Sequence, residues 1–475
     1  MTSLSQPSSR IPLLLGALGI AVLLALFVVP AVVRDGANWP HFAQYKSGCQ
    51  EDRRTLRHTG GAALGGGSYA PCLIDTGMGS GEPGLAITND GTLMRSVTMA
   101  PAGIAVSSDN GVTWTRRVLP KDAKTGIPDG YLDQVTQRYF YTALGDTPAY
   151  FSDDEGLTWQ TGTFDSGERY DWNRVFSGRP VMMRQGGYPA NIYYCNMTQP
   201  GGFVTGARCF KSVDGGKTFK TSGADPFKQG DCKDPTQPRG SGVGRGIVDP
   251  QDGAIYMPIH FCGATQVVVS RNEGSTWTHQ PVEMKSGSGG NGVLKALASP
   301  AWRKQLMNGR INVVPAEMAE SQNSDALAMD AAGRLYFVWN DEGYLPVLSW
   351  SADKGKTWSK PLRINPPAVV QSVMTAIAVA PDGRVGISYY GTEDKQVWTG
   401  YLAISDNPTA PVPTFETAAV TRTGEPLMPE ACCWASGPQE YTIARWAPDG
   451  SLWGAFAATV RKGDARGMLG RLVRR

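Results

Sequence analysis

Short runs in which apolar and polar residues alternate recur along most of the chain, each broken by an Asp-Gly or Ala-Gly step. The clearest are AITNDGTLMRSV (86–97), GIVDPQDGAIYMPI (246–259), AMDAAGRLYFVW (328–339), AVAPDGRVGISYY (378–390) and ARWAPDGSLWGAF (444–456). A period of two around a tight turn predicts β-hairpins with one face buried. YLDQVTQRYFYTAL (131–144) and RVFSGRPVMMR (174–184) fit the same slot more loosely, giving seven hairpin starts over 81–475. One segment breaks the pattern. Residues 11–33, IPLLLGALGIAVLLALFVVPAVV, run 23 positions without a charge. As a helix rising about 1.5 Å per residue, that length crosses a hydrocarbon core of roughly 30 Å. Val29-Pro30-Ala31 is a poor small-x-small cleavage site, so an uncleaved signal anchor is expected, with a cleaved signal as the alternative.

A second pattern follows many of the hairpins. SSDNGVTW (107–114), SDDEGLTW (152–159), SVDGGKTF (212–219), SRNEGSTW (270–277) and SADKGKTW (351–358) keep Ser, Asp or Asn, Gly, Thr and an aromatic ring at fixed offsets. Asp or Asn at the third place can accept backbone N–H bonds across a turn. Gly at the fifth supplies a positive φ, and the ring opens the next strand with a large surface to bury. The motif resembles the Asp box of the bacterial-neuraminidase repeat, which marks the turn between the third and fourth strands of a propeller blade. The resemblance implies a sialidase-like β-propeller in which the box is architectural and lies away from the ligand face. Asp109, Gly111, Trp114, Asp154, Gly156, Trp159, Asp214, Gly216, Phe219, Asn272, Gly274, Trp277, Asp353, Gly355 and Trp358 are therefore read as structural.

The expected fold is all-β: a β-propeller of four-stranded blades, seven by hairpin count with six as the alternative, after one N-terminal transmembrane helix. The seven starts allot about 56 residues to each unit, enough for four short strands. AISDNPTA (403–410) reads as a decayed box, and the last unit shows only three strands, ending near 467–474. A strand around 68–75 would complete it. The expected organisation is a tail (1–10), an anchor (11–33), a Gly-rich linker that includes HTGGAALGGGS and the ring-closing strand (34–80), and the propeller (81–475).

Composition narrows the function. With 58 glycines and 33 prolines among 475 residues, turns outnumber helices. A net charge of +3 from 45 basic and 42 acidic residues gives no basic face for nucleic acid. Eight cysteines behind an export segment point to disulfides in an oxidising compartment. Proximity favours Cys195–Cys209 and Cys232–Cys262, and a bond from Cys49 or Cys72 to Cys432 or Cys433 would staple the ring. No Cys/His spacing fits zinc, so neither metal nor cofactor is expected. Asn196-Met197-Thr198 matches a glycosylation sequon.

Candidate chemistry falls on the loops opposite the boxes, which are rich in carboxylates, arginines and rings. Asp171, Asp341, Glu342, Tyr390 and Glu393 are the candidate catalytic groups. Arg95, Arg169, Tyr170, Trp172, Arg174, Arg245 and Tyr344 are the candidate ligand contacts. Rings stack on sugars while carboxylates and arginines bond hydroxyls and acidic substituents. Sialidases use a tyrosine nucleophile, but their Arg-Ile-Pro motif is absent near the start of this propeller, and SGRPV (177–181) echoes it only in part. The expected function is an extracytoplasmic, membrane-anchored propeller binding a glycan or a cell-surface protein. The alternative is an exo-acting glycoside hydrolase of sialidase type.

Overall fold

The computed structural model describes residues 46–79, 84–97, 101–121, 123, 128–143, 145, 148–165, 169, 171–182, 186–198, 206–228, 231, 242–261, 264–282, 326–341, 343–428, 442–461 and 464–475. The anchor segment 11–33 lies outside them. Among the described residues there is no helix long and apolar enough to cross a membrane.

Strand follows strand in consecutive antiparallel meanders of four. The first sheet holds Ala86–Ile87, Leu93–Val97, Gly103–Ser107 and Thr115–Val118; the second, Pro128–Leu132, Tyr139–Ala143, Ala149–Ser152 and Gln160–Phe164. The third holds Asp171–Gly178, Asn191–Thr198, Gly206–Ser212 and Thr218–Thr221. In the fourth, a first strand broken into Gly242–Val243 and Ile247–Val248 precedes Ile255–Phe261, Ala264–Ser270 and Thr278–Pro281. The fifth is Leu327–Met329, Leu335–Asn340, Pro346–Ser351 and Leu362–Arg363; the sixth, Gln371–Val379, Val385–Thr392, Thr399–Ser405 and Phe415–Ala419. The seventh takes Ile443–Trp446, Leu452–Arg461 and Asp464–Arg474 from the end of the chain and its fourth strand, Tyr69–Gly79, from the beginning.

Each sheet's first strand touches the first strand of the next, and Ile443–Trp446 touches Ala86–Ile87, so the sheets close into a ring. The chain is an all-β propeller. Alternation explains its core: each sheet buries one face against the sheet before and the other against the sheet after. Among the described residues, apolar clusters accordingly fill the seams between neighbouring sheets. Trp339 and Trp453 are fully buried in two of them, each contributing a few kcal/mol by burial.

The boxes fold alike. In each, the Ser hydroxyl donates to the Asp or Asn carbonyl or carboxylate oxygen and accepts the Gly N–H, and that same Asp or Asn oxygen accepts the Thr N–H. The Thr113 and Thr357 hydroxyls, donating to the other carboxylate oxygen, together with these bonds hold the Asp109 and Asp353 carboxyls down at about 2. The decayed box keeps a fragment of this: Asn407 accepts from Ser405 and from the Thr414 amide.

Two expectations are corrected here. The Gly-rich stretch of the expected linker is folded: Leu56–His58 pairs with Phe415–Ala419 on the outer edge of the sixth sheet and turns back as Ala63–Gly66. Glycines keep that hairpin flat and unobstructed, as at Gly60, where a Cβ would meet the Arg363 carbonyl oxygen at 2.0 Å. Cys72 bonds Cys49, its direct cross-strand neighbour, so neither reaches Cys432 or Cys433. Among the described residues, ring closure rests on the strand ladder. Cys195–Cys209 joins opposed residues as expected; Cys232, Cys262, Cys432 and Cys433 lie outside the described residues.

Candidate functional site

In a four-stranded meander the first and third turns lie at one end, here the end that carries the boxes. The opposite end carries the loops between second and third strands and the connections between sheets. The first strands start at that loop face and line the middle of the ring. Their upper ends hold Asp129, Trp172 to Arg174, Arg245, Ser372 and Thr442.

Asp129 and Arg245 form a bidentate ion pair, Nη2 to Oδ1 at 2.6 Å and Nη1 to Oδ2 at 3.1 Å, with side chains 5% and 7% exposed. The pair joins the second sheet to the fourth across the third, where Asp129 Oδ2 accepts the Val175 N–H at 3.3 Å and Arg245 Nη1 donates to the Val175 carbonyl. Gly246 lets the fourth sheet's first strand come this close, since a Cβ there would meet the Phe176 ring at 2.5 Å. Each of these buried groups needs the other, since either charge left alone there would be costly.

Beside the pair the third sheet's first strand is bulged. Its register shifts between Asp171 and Arg174, and the buried Trp172 takes φ 61°. A bulky residue in that region is strained, and such strain gathers at functional sites. The bulge turns Asn173 into the seam with the second sheet, where its Nδ2 donates to the Ala143 carbonyl. The Arg174 guanidinium carbon lies 5.3 Å from the centre of the Trp172 ring, and its Nη1 donates to the Asn173 carbonyl at 3.0 Å.

Of the residues expected from sequence, Trp172, Arg174 and Arg245 thus come together, whereas Arg169 lies over the Phe164 ring at 3.8 Å, on the outer edge strand. Asp171 opens the bulged strand opposite Met197. Tyr170, Glu342 and the side chain of Asp171 lie outside what is described. The others are dispersed around the ring. Arg95 is buried in the seam of the seventh and first sheets, donates to Thr76 Oγ1, and is lowered to about 10 by loss of solvent. Tyr390 is fully buried, its hydroxyl accepting the Ala457 N–H at 2.7 Å, and burial pushes its ionisation up. Asp341 closes a turn, accepting the Gly343 and Leu345 N–H groups at 2.9 and 3.0 Å and pairing with Arg363 at 2.8 Å. Tyr344 sits in that turn at φ 58°, and its carbonyl accepts the Ser372 N–H. Glu393 is exposed on the sixth sheet and accepts the Tyr401 hydroxyl at 3.0 Å.

Sequence reasoning missed Asp129, Thr142 and Asn173, and noted Asn196 only as the first residue of a sequon. Asp129 stands before Gly130 and reads as a turn, yet lies inside Pro128–Leu132. Asn196 is fully buried in Asn191–Thr198, so its amide is closed to modification in the folded chain. Among the described residues no His, Cys, Asp and Glu gather in a metal-holding group.

No family model and no curated protein sequence matches the chain. Solved structures are similar to it. One is YCF48 bound to D1 peptide, at 13% identity over 86% of this chain and 98% of that one, TM-score 0.43. A second is the α-L-arabinanase of Penicillium chrysogenum complexed with arabinobiose, at 11% identity over 83% and 92%, TM-score 0.40. A third is the intramolecular trans-sialidase of Ruminococcus gnavus in complex with oseltamivir carboxylate, at 13% identity over 81% and 93%, TM-score 0.37. Likeness this distant leaves both blade count and chemistry to this chain's own strands and side chains.

Proposed function

We propose that the chain is a seven-bladed propeller of the Asp-box kind, exported and held to a membrane by residues 11–33, that binds a glycan or protein ligand on its loop face without hydrolysing it. The observation that carries this reading is the Asp129–Arg245 pair. A general acid must exchange its proton near neutral pH, and a nucleophile must be open to attack. Asp129 has both carboxylate oxygens taken up by two guanidinium contacts and a backbone amide beneath the loop face, so it is not open to a substrate. Asp341 and Tyr390 are likewise committed to turn and core. What remains at the centre of the ring is a fixed polar framework beside a strained bulge, suited to recognition.

A hydrolase reading draws on the hydrogen-bonded Tyr401 and Glu393, a tyrosine beside a carboxylate. That tyrosine sits in the sixth sheet's third strand, stacked on Tyr389 at 5.3 Å, across the ring from Arg245. The full-length chain in detergent, assayed on a panel of fluorogenic glycosides that includes sialosides and in parallel on glycan arrays, separates the two readings. Array binding without turnover is expected. Turnover that disappears in Glu393→Gln or Tyr401→Phe, with folding intact, overturns the binding reading.

A further inference from the structure

The seam between the second and third sheets differs from a simple apolar interface. Its middle is apolar, with Phe140, Phe151, Val175, Ile192 and Phe210 packed together. Its outer rim is closed, because the two edge strands pair in parallel, Thr163 with Thr218 and Phe164 with Phe219. The Phe164 and Phe219 rings stack there at 4.7 Å.

Toward the loop face the same seam turns polar. Strand alternation puts Thr142 on the face of Phe140 and Asn196 on the face of Ile192, both into this seam. Asn173 enters it from the bulge. All three residues are buried, at 0%, 0% and 3% exposure in the order Thr142, Asn196, Asn173. Thr142 Oγ1, Asn196 Oδ1 and Asn173 Oδ1 have no hydrogen-bond partner. The amide orientations are set by their other ends: Asn173 Nδ2 donates to the Ala143 carbonyl and Asn196 Nδ2 donates to the Met197 carbonyl at 3.0 Å. Among the described residues, two buried carbonyl oxygens and a hydroxyl are therefore left in this seam without a hydrogen-bond partner. Leaving such groups bare costs about 1–3 kcal/mol each, so three together call for a guest that brings donors.

The chemistry of that guest follows from the charges around it. Asp129 also faces this seam, and its bond to Arg245 cancels both charges. The lining is then neutral, rich in acceptors, and floored by aromatic rings. Hydroxyl groups fit it; a carboxylate would face two carbonyl oxygens. We propose that the loop-face end of the seam between the second and third sheets receives the hydroxyl-bearing end of a neutral ligand, a sugar or polyol, through Thr142, Asn173 and Asn196. This rests on the binding reading above and narrows it to a neutral group at a place off the ring's axis.

The test uses the full-length chain in detergent, titrated with D-glucose, D-galactose, N-acetyl-D-glucosamine and glycerol, and with N-acetylneuraminic acid as the acidic counterpart. Saturation-transfer NMR and calorimetry read the binding. At least one neutral probe is expected to bind more tightly than the acid. Its affinity is expected to drop about tenfold in Thr142→Val, which keeps the shape, and in Asn196→Leu. The proposal is overturned if no neutral probe binds, or if binding is unchanged in Thr142→Val. Ordered water alone in the seam gives the first of those results, with a shift in Tm for Thr142→Val and no response to any probe. A chain that still binds arrayed glycans or proteins but ignores both substitutions loses only this inference; a chain that binds nothing loses the general reading as well.

Discussion

Acid should release the N-terminal hairpin from the sixth sheet, and His58 is the reason. The imidazole is fully buried opposite Phe415. Its Nδ1 accepts the Gly60 N–H at 2.9 Å, so the ring proton sits on Nε2 and is donated to Thr417 Oγ1 at 2.8 Å. A second proton has no place, because Nδ1 already serves as acceptor and the ring is buried. Burial lowers the group from 6.5 to about 4. The sign follows from which state protonates first. Below about 6.5 the unfolded chain takes up a proton that the folded chain refuses, so stability is complete above that value and falls as pH drops toward 4. The gap is worth at most about 3 kcal/mol. Hydrogen exchange of the Leu56–Gly66 amides, corrected for intrinsic rates, and denaturant unfolding from pH 7 to 4.5 would measure it. Wild type should lose stability through this window more steeply than His58→Gln, which cannot titrate there. Parallel curves for the two would refute the account and place the proton elsewhere.

Three further outcomes are expected. Arg245→Leu alone should cost roughly 3–5 kcal/mol by leaving Asp129 buried and unpaired, whereas Arg245→Leu with Asp129→Leu should recover much of it; a single variant as stable as wild type by denaturation would show the pair to be idle. Cys49→Ser with Cys72→Ser should cost about 3 kcal/mol for its short loop while the ring stays closed, and non-reducing peptide mapping should give Cys49–Cys72, a Cys72–Cys432 peptide being the contrary result. Gly156→Ala should destabilise by at least about 1–2 kcal/mol, because Gly156 has φ 88° and a Cβ would lie 2.6 Å from Ile104 Cδ1, while Gly61→Ala, with nothing within 4 Å, should be tolerated; equal melting temperatures for the two would refute the steric reading.

The scaffold was legible because it repeats. Period-two alternation located most second strands, and the boxes located third turns, since both signals are local in sequence. The strand near residues 68–75 was legible for a different reason: a seventh unit of three strands needs a fourth. The folded hairpin at Leu56–Gly66 was not legible, since glycine-rich sequence carries no face to read. What recruits it is remote, the open edge of Phe415–Ala419 and the pocket for His58. The site was half legible for the same physical reason. Trp172, Arg174 and Arg245 announce themselves as polar or aromatic residues in unusual loops. Asp129 and Asn196 lie inside regular strands, where only the packing of a neighbouring sheet reveals that their side chains face a seam.

The boxes themselves are committed to holding the ring together. Their fourth residues join the fifth-place glycines at positive φ: 58° at Asn110, 56° at Glu155, 59° at Glu273 and 60° at Lys354. Side chains resist that conformation by about 1–2 kcal/mol, so glycine or asparagine would be the easier choice. Three of the four instead reach back to the preceding sheet. Glu155 pairs with Arg117 at 3.3 Å. Glu273 holds Lys211 and the Val181 amide, both at 2.9 Å, and Lys354 holds Asp249 and Asp252, both at 2.7 Å. Strain at the turn is offset by a clamp across the seam. The box face is thereby committed to holding neighbouring sheets together, and a ligand bound there would have to displace those clamps. Toward the loop face, the described polar groups buried between the second and third sheets include three with no partner to lose, so the proposed binding there would add hydrogen bonds without breaking the ring.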